Sequence, residues 1–278
     1  MSRTLGSARR WSLALVAVSA IVQPPTLRAQ ATQKIDQDYT AKIKQALTDP
    51  RISTELVDHL PASATVPTPL KFNGRIVGAP GDLTHASQIH AYLEAIAKAA
   101  PTRARFWKIG KSEEGRDIVL LAIADEKTIA SLDKYKGYLN ALSDPRKTSE
   151  AQAQQIIHTL GKPIYYINSG MHSPETGGPE MLQELAYRLV VEETPFIQDI
   201  RKSVITLITP VVEVDGREKI VDSYYYAKNH PGVNANQLRM YWGKYVQHDN
   251  NRDGMGQYLK LTQAITKQML EWTPTVLH

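Results

Sequence analysis

From Asp82 onward, apolar and polar positions alternate regularly enough to assign elements. Ile89, Tyr92, Leu93, Ile96 and Ala97 recur at helical spacing, and Pro101 stops that helix. Arg105 to Ile109 and Ile118 to Ala124 read as two strands joined by a turn from Gly110 to Gly115. A polar, helix-rich insertion from Glu126 to Gly161 comes next. Pro163 then introduces Ile164-Tyr165-Tyr166-Ile167, an apolar run of the buried-strand type, and Pro179 falls in the first turn of a helix through Val191. Val204 to Ile208 is the next strand, Gly256 to Trp272 the next helix, and Thr275 to Leu277 the start of another strand. Helices alternating with apolar strands predict an α/β fold, with a mixed, mostly parallel sheet covered by helices on both faces.

The chain ahead of Asp82 is patterned differently. Residues 32–60 are compatible with a helix, with Ile35, Tyr39, Ile43, Ala46 and Leu47 on one side and Pro50 as a break. Pro61, Pro67, Pro69, Gly74, Gly78, Pro80 and Gly81 then crowd a stretch that reads as a linker or as an extended arm docked on the α/β domain. We therefore expect an N-terminal segment over 32–80 and a domain over 81–278. At the start, Arg9 and Arg10 precede an apolar run from Trp11 to Val22 and the small-residue stretch Ala29-Gln30-Ala31, the order of a secretory signal. A signal peptide over 1–31 predicts a protein that is secreted or periplasmic, without a membrane span after removal.

That cut changes how the charge is read. The chain has 33 basic and 28 acidic residues, but Arg3, Arg9, Arg10 and Arg28 all belong to the leader, which has no acid. The remaining balance is near neutrality, so nothing points to nucleic acid. The chain has no cysteine, which excludes disulfides, thiolate metal sites and cysteine nucleophiles together. Any zinc must take histidine and carboxylate ligands.

Candidate chemistry is densest in Asn168-Ser169-Gly170-Met171-His172-Ser173-Pro174-Glu175, directly after the Ile164 to Ile167 strand. Loops at the carboxyl ends of strands gather ligand groups in open α/β sheets. Here an imidazole and a carboxylate stand three residues apart, a spacing that lets both turn to one metal ion. A solvated His–Glu pair on one turn would have the same spacing, and the preceding apolar strand favours the metal reading.

The segment Gly170-Met171-His172-Ser173-Pro174-Glu175 resembles the first zinc-binding motif of the metallocarboxypeptidase family that includes the pancreatic carboxypeptidases. Three further stretches agree in order. Ile109 to Ile118 is similar to the family's first hairpin. Pro210-Val211-Val212-Glu213-Val214-Asp215-Gly216-Arg217 resembles its strand ending in Asn-Pro-Asp-Gly. Asp249-Asn250-Asn251-Arg252-Asp253 resembles its Asn-Arg pair. The resemblance implies a hydrolase that uses one zinc ion to cleave C-terminal residues from peptides or proteins. His172 and Glu175 would be metal ligands, and Asn251 and Arg252 would bind the substrate's terminal carboxylate. Arg239 lies where the family carries an arginine that polarises the scissile carbonyl. His278 stands where a third zinc ligand is expected.

The sequence also departs from the family pattern. Pro174 replaces an arginine frequent between the ligands, Asp215 lacks a preceding Asn-Pro, and His278 lacks the Asp of an Asp-Leu-His. The family's general-base glutamate is expected beyond residue 278, since Glu271, in a helical context, is the only glutamate after Arg252. The sequence therefore reads as the N-terminal part of a longer enzyme, expected by itself to bind zinc weakly and turn over slowly or not at all. Two other functions remain open: a zinc amidase or deacylase acting on cell-wall peptides or acyl amino acids, and a non-catalytic peptide-binding domain.

Overall fold

A computed structural model describes residues 33–238, 241–246 and 248–278. The signal peptide expected over 1–31 and the candidate Arg239 lie outside these residues. Residues 33–278 form one compact unit. It opens with α1 (Gln37–Ala46) and α2 (Pro69–Asn73), followed by α3 (Ala86–Ala99), β1 (Ala104–Lys111) and β2 (Asp117–Ile123). The polar insertion holds α4 (Glu126–Ile129), α5 (Leu132–Leu142) and α6 (Glu150–Gln155). Then come β3 (Ile164–Asn168), α7 (Gly177–Val191), α8 (Pro195–Ser203), β4 (Ile205–Thr209), α9 (Val214–Asn229), α10 (Lys260–Trp272) and β5 (Val276–Leu277).

The five strands form one sheet in the order β1-β2-β4-β3-β5. β2 pairs antiparallel with both β1 and β4, while β3 pairs parallel with β4 and β5. Among the described strands only β2 therefore runs against the rest, and the expected mixed, mostly parallel sheet is what forms. Side-chain alternation along the strands divides the core between two faces. Leu121, Ile123, Ile167 and Ile208 pack with Leu93 and Ile96 of α3 and Leu182 and Ala186 of α7. On the opposite face Leu120, Ala122, Tyr166 and Leu207 pack with Leu139 of α5 and Trp272 of α10. At roughly 25 cal/mol per Å² of apolar area, this two-sided burial is the main term holding the sheet.

The proline- and glycine-rich arm is packed. Leu60, Val66 and Ile76 are buried in the same cluster as α3 and α7, and Tyr39 of α1 is fully buried beside them. Two elements differ from the reading of the sequence. The strand before Asp215 ends at Thr209, and Val214–Asn229 is a helix whose N-cap Glu213 accepts a hydrogen bond from the Gly216 N–H. No apolar stripe marks that helix because Asp215 and Arg217 occupy buried positions and find polar partners far along the chain. The last helix begins at Lys260 instead of Gly256. The Asp253 carboxylate accepts from the N–H groups of Tyr258 and Leu259 and holds the intervening residues in a loop. No helix among the described residues is long and apolar enough to cross a membrane.

Candidate metal and substrate site

β3 delivers the chain to Ser169, and the loop that succeeds it is tied to the exit of β4. Val212 N–H donates to the Ser169 carbonyl and Glu213 N–H to the Gly170 carbonyl, both at 2.8 Å. Gly170 takes φ 57°, and a Cβ there would press on Pro179 Cγ at 3.1 Å and Val211 Cγ1 at 3.3 Å, so glycine suits both the backbone and the space. The Glu175 N–H then donates to the His172 carbonyl at 3.0 Å. This turn brings the two side chains together: His172 Nδ1 lies 2.8 Å from Glu175 Oε1.

The other ring nitrogen is also engaged. His172 Nε2 lies 3.3 Å from Asp249 Oδ1, so the imidazole sits between two carboxylates. Its pKa is raised, first by the hydrogen bond to Glu175, against the opposing effect of partial burial, and then by Asp249. Asp249 stays below the ordinary carboxylate range: desolvation pushes it up, but the Asn251 N–H and His172 outweigh that. A carboxylate on one ring nitrogen orients the ring and leaves the other nitrogen as the donor toward a metal. Tyr241 and Trp242 flank the ring, with centroids 6.1 and 5.9 Å from that of His172.

Asp249 opens a short helical turn over Asn250–Arg252, and its Oδ1 accepts from the Asn251 N–H at 2.8 Å. The buried Asn250 fastens this turn to the His172 loop by donating from Nδ2 to the Met171 carbonyl at 2.6 Å. Asn251 and Arg252 come next with exposed side chains, open to a ligand beside the His172–Asp249 contact. Ser173 Oγ donates to the Tyr241 carbonyl, which ties the His172 loop to the aromatic segment.

A polar hub supports these loops from below. Asp215, buried at the start of α9, accepts from Ser112 Oγ at 2.7 Å, Arg116 Nη1 at 2.8 Å and the Glu114 N–H at 3.1 Å, which joins the β1–β2 turn to α9. Glu114 pairs with Arg116 and Lys219 and accepts from the Lys244 N–H; although desolvation pushes its carboxyl up, these contacts hold it down at about 2. On the other side of α9, the fully buried Arg217 donates to Glu180 Oε1 at 2.7 Å and to the Thr84 carbonyl, while Glu180 also accepts from Thr84.

The structure thus brings His172, Glu175 and Asp249 together and sets Asn251 and Arg252 beside them. It does not bring His278 to that group. Its backbone continues the β5 ladder beside β3, and its Nδ1 lies 2.9 Å from the Tyr165 hydroxyl. Among the described residues, no group of three His, Cys, Asp or Glu is placed to hold a metal ion. A histidine nitrogen and a carboxylate side by side are nonetheless donors of the kind zinc takes, so His172 and Glu175 fit as two of its ligands. Asp249 is the partner of His172 that sequence reasoning did not single out. Its position two residues before Asn251 was visible, but its role depends on a contact spanning 77 residues.

The family resemblance carried by the order of the motifs is borne out by sequence comparison. The family model for zinc carboxypeptidases matches residues 89–274, and the chain belongs to that family. Similar solved structures include carboxypeptidase A from Helicoverpa armigera, 19% identical over 69% of this chain and 43% of that one, with a TM-score of 0.42. Thrombin activatable fibrinolysis inhibitor is 13% identical over 84% of this chain and 52% of that one, with a TM-score of 0.44. A metallo-carboxypeptidase from Burkholderia cenocepacia is 16% identical over 70% and 40%, with a TM-score of 0.43. The chain therefore spans about half or less of the length of these three proteins. A comparison with curated proteins returned no match.

Proposed function

We propose that the protein to which this chain belongs is a zinc-dependent carboxypeptidase acting on peptide or protein C-termini outside the cytoplasm. The observation that carries the reading is the clasp on His172, with Glu175 at Nδ1 and Asp249 at Nε2. His172 and Glu175 would hold the zinc, which when bound supplies Lewis-acid polarisation of the scissile carbonyl. Asp249 keeps Nε2 engaged, so that Nδ1 is the nitrogen left to donate once its proton has gone. That proton competes with the metal, and uptake strengthens as pH rises through the raised pKa of His172. Arg252 offers a planar fork to a terminal carboxylate and Asn251 adds an amide donor. No described residue is assigned as general base.

Zinc titration of the purified chain, with His172→Ala and Glu175→Ala beside it, tests the reading. One equivalent bound by the parent chain and a loss of at least tenfold in affinity in each variant is the expected result. Unchanged zinc affinity in both variants would overturn it.

A further inference from the structure

Residues 241–246, which set Tyr241 and Trp242 against the His172 ring, rest on a cluster of carboxyl groups. Glu114, in the turn between β1 and β2, accepts from the Lys244 N–H and pairs with the Lys219 ammonium. Asp215 of α9 lies against Gly243, where a Cβ would stand 3.0 Å from the Asp215 Cβ. Val246 packs with Val211, Val212 and Val214, which bracket Glu213. The same turn holds the start of α10, because Glu113 Oε1 accepts from the Lys260 N–H.

Glu213 joins this cluster with little to compensate a charge. It is 1% exposed, and its carboxyl accepts from the Gly216 N–H at 2.9 Å. The charged groups that face it are the acids Asp215 and Glu113 and the cation Lys219, which Glu114 already holds. Arg116 is likewise taken, by Glu114 and Asp215, and the Lys244 ammonium lies over the Tyr245 ring. Glu113 Oε2 is buried with no hydrogen-bond partner among the described residues, so no donor stands there to absorb a second charge. Burial first, and then the neighbouring acids, keep the Glu213 proton on up to about 7. While neutral, Glu213 leaves Lys219 to Glu114. Once ionised, it competes for Lys219 and repels Glu113 and Asp215, two of the groups that hold the turn in place.

We propose that Glu213 is a proton-operated latch on residues 241–246: protonated, it leaves Glu114 on the Lys244 N–H and the segment closed over His172, and ionised, it loosens the turn and lets the segment open. The inference goes beyond the zinc hydrolase reading and does not depend on it, since the latch belongs to the chain without metal. Because the folded value of Glu213 is raised, the closed form is favoured in acid and is lost as pH climbs through about 7. Opening that returns Glu213 to its ordinary 4.5 raises the opening constant about tenfold between pH 6 and pH 8.5. The flank of the His172 ring covered by Tyr241 and Trp242 is then exposed in weak base and covered in acid.

Amide hydrogen exchange on the intact chain without metal, corrected for its intrinsic dependence on pH, tests the latch. The Lys244 amide is the probe, and the amide of Ile167, in the middle of the sheet, reports global unfolding. Lys244 is expected to lose about tenfold in protection between pH 6 and pH 8.5, through an opening that leaves Ile167 far better protected at both pH values. Glu213→Gln, which keeps an acceptor for the Gly216 N–H, is expected to abolish the loss at Lys244. Glu113→Gln, which removes one of the repelling acids, is expected to shrink it. His172→Ala is expected to leave the pH dependence in place, so a failure of the zinc reading is seen separately from a failure of the latch. An equal pH dependence at Lys244 in the parent chain and in the Glu213 and Glu113 variants, or Lys244 and Ile167 exchanging alike, would overturn the proposal.

Discussion

The loop that carries His172 and the turn that carries Asp249 meet at one imidazole, but they reach it from different surroundings. The first is flanked by buried structure: β3 on one side, α7 on the other, and beneath it an ion pair between Arg217 and Glu180 at the heart of the unit. The second hangs on a few polar contacts, chiefly Asn250 to Met171 and Asp253 to the approach of α10, with Asn251 and Arg252 exposed. On the proposed reading the difference has a use: a metal ligand would gain from being over-determined, whereas a substrate-reading arm would need little more than attachment at its base.

The comparison breaks hardest at Arg217. Removing one partner of a buried pair strands the other, so Arg217→Ala is expected to lower stability by about 3–5 kcal/mol in chemical denaturation. A loss below 1 kcal/mol would mean that the pair is not a support of the His172 side. Glu213 gives the next largest effect. Burial, with Asp215 and Glu113 nearby, raises its carboxyl from an ordinary 4.5 to about 7, although the Gly216 N–H opposes the shift. Its contribution to stability is complete below the unfolded value and is lost as pH climbs through the folded one. Stability is therefore expected to fall by roughly 3 kcal/mol between pH 4.5 and pH 7.5 on this account. Glu213→Gln should flatten that slope, and an unaltered slope would assign it to other groups.

On the Asp249 side the effects move from stability to binding. Asp249→Asn is expected to weaken zinc binding ten- to a hundredfold, the usual cost of losing the group that orients a histidine ligand, with little change in melting temperature. If stability falls as far as in Arg217→Ala, the two sides are not differently built. The smallest structural effect belongs to Arg252→Ala, expected within about 0.5 kcal/mol of the parent chain. Zinc affinity should stay unaltered while affinity for a C-terminal carboxylate falls; retention of that affinity would remove Arg252 from the reading.

The same contrast explains what the sequence disclosed. β3 and the His172–Glu175 pair were legible because an apolar run of strand length is succeeded at once by polar residues at ligand spacing, both local signals. The hairpin, α3, α7 and α10 were legible for the same reason, from period and punctuation. α9 was not, because its first turn buries Asp215 and Arg217, whose partners Ser112 and Glu180 lie 103 and 37 residues away. No window along the chain contains the fact that makes such positions tolerable. Asp249 was hidden likewise, since its neighbours read as an Asx turn and only the folded chain sets it against His172.

Gly216 shows how tightly these parts are fitted. A glycine within a helix costs about 1 kcal/mol relative to alanine, yet a methyl group here would overlap Ser173 Oγ and the Tyr241 carbonyl. Three stretches of chain cross at this point with no spare volume: the start of α9, the His172 loop and the aromatic segment. Selection at codon 216 would therefore act on size before chemistry, and a saturation library at that codon should return glycine alone among well-folded clones.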